Sequence, residues 1–181
     1  MIKSINKSSD FNDHESQVIK LNFTIRKMKK RDIRAVQAVA KTSWKTTYEG
    51  IIPLHIQERF LLNAYSDKMM KRRLKQSNFF VAEVNNIVIG FANYSTVFDD
   101  GKVDLHAIYM YVEYQGAGIG TALLQEGITE LGAKEIILNV ERQNHPALNF
   151  YHAKGFEKVA EFDDDFDGHT LHTIRMSLKV P

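Results

Sequence analysis

Seven residues, Gln115-Gly116-Ala117-Gly118-Ile119-Gly120-Thr121, separate a run of β-formers from an apolar pattern of helical period that runs to Leu131. Few local sequences restrict a fold more than a glycine-rich turn from strand to helix. Small residues let the backbone approach a ligand closely, and the free N–H groups of a first helical turn point at an anion. A pyrophosphate fits such a cradle, although a tight turn of this kind needs no ligand at all. Two other phosphate loops do not match. A P-loop ends in Gly-Lys-Ser/Thr, whereas Gly120-Thr121-Ala122 lacks the lysine. A dinucleotide fingerprint requires an acid at the end of the following strand, and Glu135 falls before it.

The rest of the chain sets this turn in an α+β (mixed α/β) domain. A strand is expected over Phe23 to Lys27, then a helix from an Asp32 N-cap to about Thr46, with Ile33, Val36, Val39 and Ala40 at helical spacing. Helices after Pro53 and from Asp67 to Leu74 follow. The period then changes. Phe79 to Val84 and Ile87 to Phe98 read as strands joined at Asn85-Asn86, and Val103 to Val112 as a third. A helix from Gly116 to Leu131 closes at Gly132, Ile136 to Val140 is a buried strand, and Pro146 opens another helix. Phe156 to Phe162 and Thr170 to Leu178 end the chain as strands around an acidic turn. Residues 1–20 read as a polar extension and 21–181 as a single domain.

Two stretches carry a resemblance. Asp104-Leu105-His106-Ala107-Ile108-Tyr109-Met110 followed by Gln115-x-x-Gly118-x-Gly120 is similar to the acyl-CoA motif of the GNAT superfamily of N-acetyltransferases. Leu138-x-Val140-x-x-x-Asn144-x-x-Ala147-x-x-Phe150-Tyr151-x-x-x-Gly155-Phe156 is similar to its second conserved block. The resemblance implies a mostly antiparallel central sheet of six or seven strands, flanked by helices, whose fourth and fifth strands splay apart. It implies that acetyl-CoA is the acyl donor, with its pantetheine along Ile108, Tyr109 and Met110. The pyrophosphate would rest on Gln115, Gly116, Ala117, Gly118, Ile119, Gly120 and Thr121, and Asn144 would bond the pantetheine arm. Tyr151 aligns with the tyrosine that protonates the departing sulfur.

Acetyl transfer to an amine sets two proton problems. A lysine-like amine has a pKa near ~10.4, so reaching its neutral form at pH 7 costs roughly 4–5 kcal/mol. The departing thiolate, with a pKa near ~8.5, makes the lesser demand. Asp104 and His106 are the candidate bases. They stand two apart on a strand and so are expected to face the same side as Ile108 and Met110. Asp104 occupies a place where the family often carries glutamate, and His106 has the more suitable ordinary pKa, near ~6.5. A structural histidine fits the pattern equally well. The chain has no cysteine, so no Cys-bound acyl intermediate can form, and direct attack of the amine is expected.

Trp44, Tyr48 and Glu49-Gly50-Ile51-Ile52-Pro53 resemble the family's loop that walls the acceptor site, while four-residue spacing also makes Trp44 and Tyr48 a simple packing pair. An aromatic wall suits a cation, which favours a polyamine or other small alkylamine as acceptor. A protein N-terminus or lysine is the alternative, and a non-catalytic CoA-binding domain another. Lys and Arg total 24 against 22 Asp and Glu, with no concentrated basic face of the sort nucleic acid needs. No apolar run is long enough to span a bilayer, so no membrane partner and a cytoplasmic location are expected; a homodimer is a family-level expectation. Asp163 to Gly168 copies the start of a calcium loop, but its twelfth position is Ile174. A hairpin turn, with no metal, is expected there.

Overall fold

The computed structural model describes residues 21–181, so the polar stretch at 1–20 lies outside the described residues. Strand β1 (Thr24–Lys27) leads into helices α1 (Ile33–Tyr48), α2 (Leu54–Ala64) and α3 (Asp67–Gln76). Strands β2 (Asn78–Val84), β3 (Ile87–Tyr94) and β4 (Lys102–Met110) follow. Then come α4 (Ile119–Leu131), β5 (Glu135–Glu141), α5 (His145–Ala153), β6 (Glu157–Phe166) and β7 (His169–Lys179). The strands make one seven-stranded sheet in the order β1-β2-β3-β4-β5-β7-β6. Every neighbouring pair is antiparallel except β4 and β5, which α4 connects.

Local chemistry accounts for the turns. Asn85 and Asn86 both take positive φ, at 49° and 65°, and Asp167-Gly168 do the same at 59° and 82°. Such pairs form the primed two-residue turns whose twist matches that of the strands. The second turn corrects the expected acidic loop: Asp163, Asp164 and Asp165 belong to β6 and pair with β7. Asp32 also departs from expectation. It sits at the N-cap position of α1 without capping it; its carboxylate accepts the Lys29 N–H at 2.7 Å and two bonds from Arg26. The glycine-rich segment is loop as far as Gly118, and α4 starts only at Ile119.

Helices cover both faces of the sheet. Ile119, Leu123 and Leu124 of α4 and Tyr151 of α5 pack on one face with Val103, Leu105, Ile136 and Leu138. Ile33, Val36, Val39 and Ala40 of α1, with Tyr65 and Met70, pack on the other with Phe79, Val81, Phe91 and Ala107. A smaller cluster of Trp44, Ile52 and Ile56 joins the end of α1 to α2.

Two irregularities in β4 set up the site. Its pairing with β5 covers only Lys102 to Asp104 against Glu135 to Ile137; beyond that the strands diverge. The pairing with β3 also slips by one residue, because Asn93 opposes Ala107 while Tyr94 opposes Leu105. His106 is therefore the extra residue of a β-bulge, and the alternation of side chains changes phase across it. Val103 and Leu105 face α4, as do Ile108 and Met110, whereas Ala107 and Tyr109 face α1 and α3.

Tyr94 shows how tightly the α4 face is fitted. Its hydroxyl donates to Leu123 O at 3.0 Å, and its ring occupies the space a side chain on Gly127 would need. A Cβ at Gly127 would lie 2.3–2.6 Å from ring and hydroxyl atoms of Tyr94. Gly127→Ala is expected to destabilise the fold by about 1–3 kcal/mol, through overpacking that outweighs the better helix propensity of alanine. Urea denaturation checks this, and an unchanged midpoint would show that Tyr94 relaxes without cost.

Candidate functional site

Where β4 and β5 part, a cleft of about 700 Å³ opens between them. The Tyr111 N–H donates to Ile89 O at 3.0 Å on the β3 side. Antiparallel alternation then turns the N–H and C=O of Ile108 and Met110 to the opposite edge, towards the gap. The Met110 carbonyl accepts a bond of 3.0 Å from the Ser43 hydroxyl of α1. The remaining edge groups can pair with an extended, amide-bearing ligand as a further strand would.

The mouth of the cleft is the glycine-rich turn. Gly116 and Gly118 take φ values of 79° and 84°, the left-handed region that other residues enter only with strain. No side chain caps α4, and its first helical bond is Ala122 N–H to Gly118 O at 3.0 Å. The preceding N–H groups are thus left to point outwards at the positive end of the helix dipole. Gly120 has a different task. A Cβ there would stand 3.3 Å from both Met110 and Phe150, so glycine lets α4, β4 and α5 converge. Among the described residues, Lys154 is the one charged side chain lining the cleft.

Across the gap, Asn144 accepts the Ala147 N–H at 3.2 Å and so caps α5, leaving its NH₂ for the cleft that it lines. Tyr151, one α5 turn beyond Ala147, is buried and also lines the cleft. Burial, followed by the nearby Tyr48 hydroxyl, holds the Tyr151 phenol above its ordinary pKa.

Most of the residues singled out in the sequence come together here. Ile108, Tyr109, Met110, Gln115, Gly116, Gly118, Gly120, Thr121, Asn144 and Tyr151 all line the cleft. Ile119 instead packs its side chain into the core, so only its backbone can serve a ligand. Ala117 is exposed on the turn and does not line the cleft. Asp104 and His106 do not join the set. The expectation that they share a side with Ile108 and Met110 is wrong, because the bulge inverts the alternation between them. Asp104 lies where β4 is still paired with β5 and lines neither cavity.

His106 lines a second cavity, of about 280 Å³, with Trp44, Phe60, Tyr65, Arg73 and Tyr109. Tyr109 lines both cavities. Burial, aided by the positive field of Arg73 and opposed by Asp104, holds the His106 ring below its usual pKa. Trp44 and Tyr48 pack with ring centroids 4.5 Å apart, and Trp44 also stacks on Phe60 at 4.3 Å. Phe166, at the tip of the β6–β7 hairpin, lies against both Trp44 and Phe60.

One acid escaped the sequence reading. Glu141 ends β5 and is only 6% exposed. Leu138 and Val140 face α4, so alternation turns Glu141 to the α1 side of the gap. Its carboxylate accepts the Gln143 N–H. Its negative field, after burial and against a bond with Tyr109, contributes to raising the pKa of Tyr48. The signal was present as an acid in phase with Ile137 and Asn139, three residues before Asn144, but its burial depends on how the strands diverge.

Comparison with known proteins agrees with this arrangement. The model of the acetyltransferase (GNAT) family matches residues 43–156. An uncharacterized N-acetyltransferase of Bacillus subtilis, YuaI, is 33% identical over 157 residues, covering 83% of this chain and 90% of that protein. The spermidine N(1)-acetyltransferase of Thermoplasma acidophilum is 32% identical over 152 residues, covering 79% and 92%. Among solved structures, the PaiA N-acetyltransferase of Thermoplasma acidophilum in complex with coenzyme A superposes with a TM-score of 0.78 at 27% identity, covering 88% of this chain and all of that one. A matched family model over most of the chain, on a sheet that opens beside a glycine-rich helix start, identifies the chain as a member of the GNAT acetyltransferase family and an acetyl-CoA-dependent N-acetyltransferase.

Proposed function

We propose that this enzyme acetylates a small primary amine, which enters from the α1–α3 side and attacks the thioester directly. The observation that carries this reading is Tyr109, one side chain common to the donor cleft and the smaller cavity. That side chain is the wall between the two spaces, so substrates held in them would lie on either side of it. The size of the smaller cavity, about 280 Å³, favours a free small molecule over a lysine on a folded protein surface. The relative that acts on spermidine supports a small-amine acceptor as well.

In this reading acetyl-CoA lies with its pyrophosphate on the N–H groups from Gly116 to Thr121 and its pantetheine along Ile108 to Met110, with Asn144 donating to the arm. The amine nitrogen attacks the thioester carbon, and the Met110 N–H stabilises the oxygen as it gains charge. The C–S bond then breaks. The sulfur takes up the Tyr151 hydroxyl proton, and the proton leaving nitrogen passes to Glu141, directly or through the Tyr48 hydroxyl. A phenol held above its ordinary pKa stays protonated at neutral pH. It gives that proton to the departing sulfur and is reprotonated from solvent before the next turnover. Glu141 takes the role assigned in the sequence to Asp104 or His106: it lines neither cavity, but it is buried and its charge acts on the Tyr48 hydroxyl.

Removing the phenol hydroxyl with Tyr151→Phe is expected to lower kcat about 100-fold or more, with little change in acetyl-CoA affinity. Steady-state kinetics and calorimetric titration separate the two effects, and an unaltered kcat would exclude Tyr151 as the acid. Glu141→Gln is expected to lower kcat/KM for the amine by about 100-fold at neutral pH. That defect should shrink as pH approaches the pKa of the free amine, because the nucleophile then arrives already neutral. A pH profile checks the sign, and a defect constant across pH would assign Glu141 a structural part only.

A further inference from the structure

The smaller cavity carries a charge that no acid among the described residues pairs with. The guanidinium of Arg73 is sandwiched between Tyr65 and Phe79, 5.1 Å from each ring centroid. It donates to Ala64 O at 3.1 Å and to Asn93 Oδ1 at 2.7 Å, both neutral acceptors. Among the described residues no carboxylate pairs with it, and none lines the cavity. A half-buried guanidinium with only neutral partners is well placed to receive an anion that enters the cavity. The neighbouring His106, kept neutral by burial and by that same cation, adds no negative charge.

The polar lining is also rich in donors. The Trp44 indole N–H is buried without an acceptor among the described residues, and Trp44 lines this cavity. The aromatic faces that would attract a second ammonium are already used. Tyr65 stacks with Arg73, while Trp44 is packed against Phe60, Tyr48 and Phe166. Asp167 pairs with Arg59, and Asp163 with His172 at 2.6 Å, while Glu141, the proposed base, does not line this cavity. Asp104 is close enough to act on His106 but does not line the cavity.

We infer that the acceptor is an amine whose short apolar chain ends in a carboxylate, which the Arg73 guanidinium receives. The inference rests on reading this cavity as the acceptor site. The chain lies between Phe60 and Met69, both of which line the cavity, and the amine emerges beside Tyr109. A polyamine would instead bring its second ammonium against the guanidinium, a like-charge contact that costs binding.

The test is acetyl-CoA-dependent thiol release by the full chain on three series of matched length. These are the ω-amino acids from glycine to 6-aminohexanoate, the α,ω-diamines from ethylenediamine to 1,6-diaminohexane, and the corresponding n-alkylamines. At the best-fitting length the amino acid is expected to exceed the diamine in kcat/KM by about tenfold or more. Arg73→Lys should retain that ratio, and Arg73→Gln should bring it close to one. The wild-type ratio decides the matter even where Arg73→Gln fails to fold. Diamines equal to or better than amino acids at every length, or a ratio that survives Arg73→Gln, would overturn the inference while leaving the small-amine reading intact. No turnover of any of the three series would overturn the small-amine reading, and this inference with it.

Discussion

Parallel pairing between β4 and β5 lasts only from Lys102 to Asp104, and the site depends on its failure beyond that point. A continuous sheet would spend the edge of β4 on β5 and leave no room for a ligand. Divergence creates a row of backbone donors and acceptors that must find partners, because unpaired peptide groups away from water are expensive. Ser43 supplies one partner by donating to Met110 O. The remainder make the gap receptive to an extended molecule that carries its own amides. An extended ligand with its own amides can meet that backbone requirement without help from any one side chain.

The divergence holds because the elements on either side are fixed. The Tyr94 ring against Gly127 and its hydroxyl on Leu123 O lock α4 to β3. Asn144 caps α5 at the start of the opposite bank. Gly120 lets α4, Met110 and Phe150 close up at the head of the gap. The cleft is therefore a wedge between two well-packed blocks, and its shape is set before any substrate arrives.

Local features of the site were legible in the sequence. Gly116, Gly118 and Gly120 announce a strand-to-helix turn because their backbone conformations and close contacts demand glycine where they stand. Asn144, ahead of Pro146, and Tyr151 sit at fixed offsets within a single helix. What the sequence concealed depends on register between distant strands. The bulge at His106 arises because Asn93 pairs with Ala107 and Tyr94 with Leu105, so a simple period of two misassigned which residues share a side. Asp104 failed for a related reason, since where β4 leaves β5 is a property of both strands. Glu141 stayed hidden because an acid at a strand end reads as solvated unless the neighbouring chain is known to lie over it. The length of the last hairpin was likewise masked by its acids, which suggested a loop where the pairing to β7 continues to Phe166.

That hairpin divides the enzyme into parts with different histories open to them. The larger cleft is framed by β4, α4, β5 and α5, consecutive elements whose geometry is mutually constrained. The wall against Trp44 and Phe60 comes instead from Phe166, with Arg59–Asp167 and the His169 ring on Ile51 O as moorings. These contacts sit at the tip of a two-residue turn, where residues can be gained or lost in pairs without shifting the register of the sheet. Changes at that tip would therefore alter the packing behind Trp44 and Phe60 while leaving the cleft between β4 and β5 undisturbed.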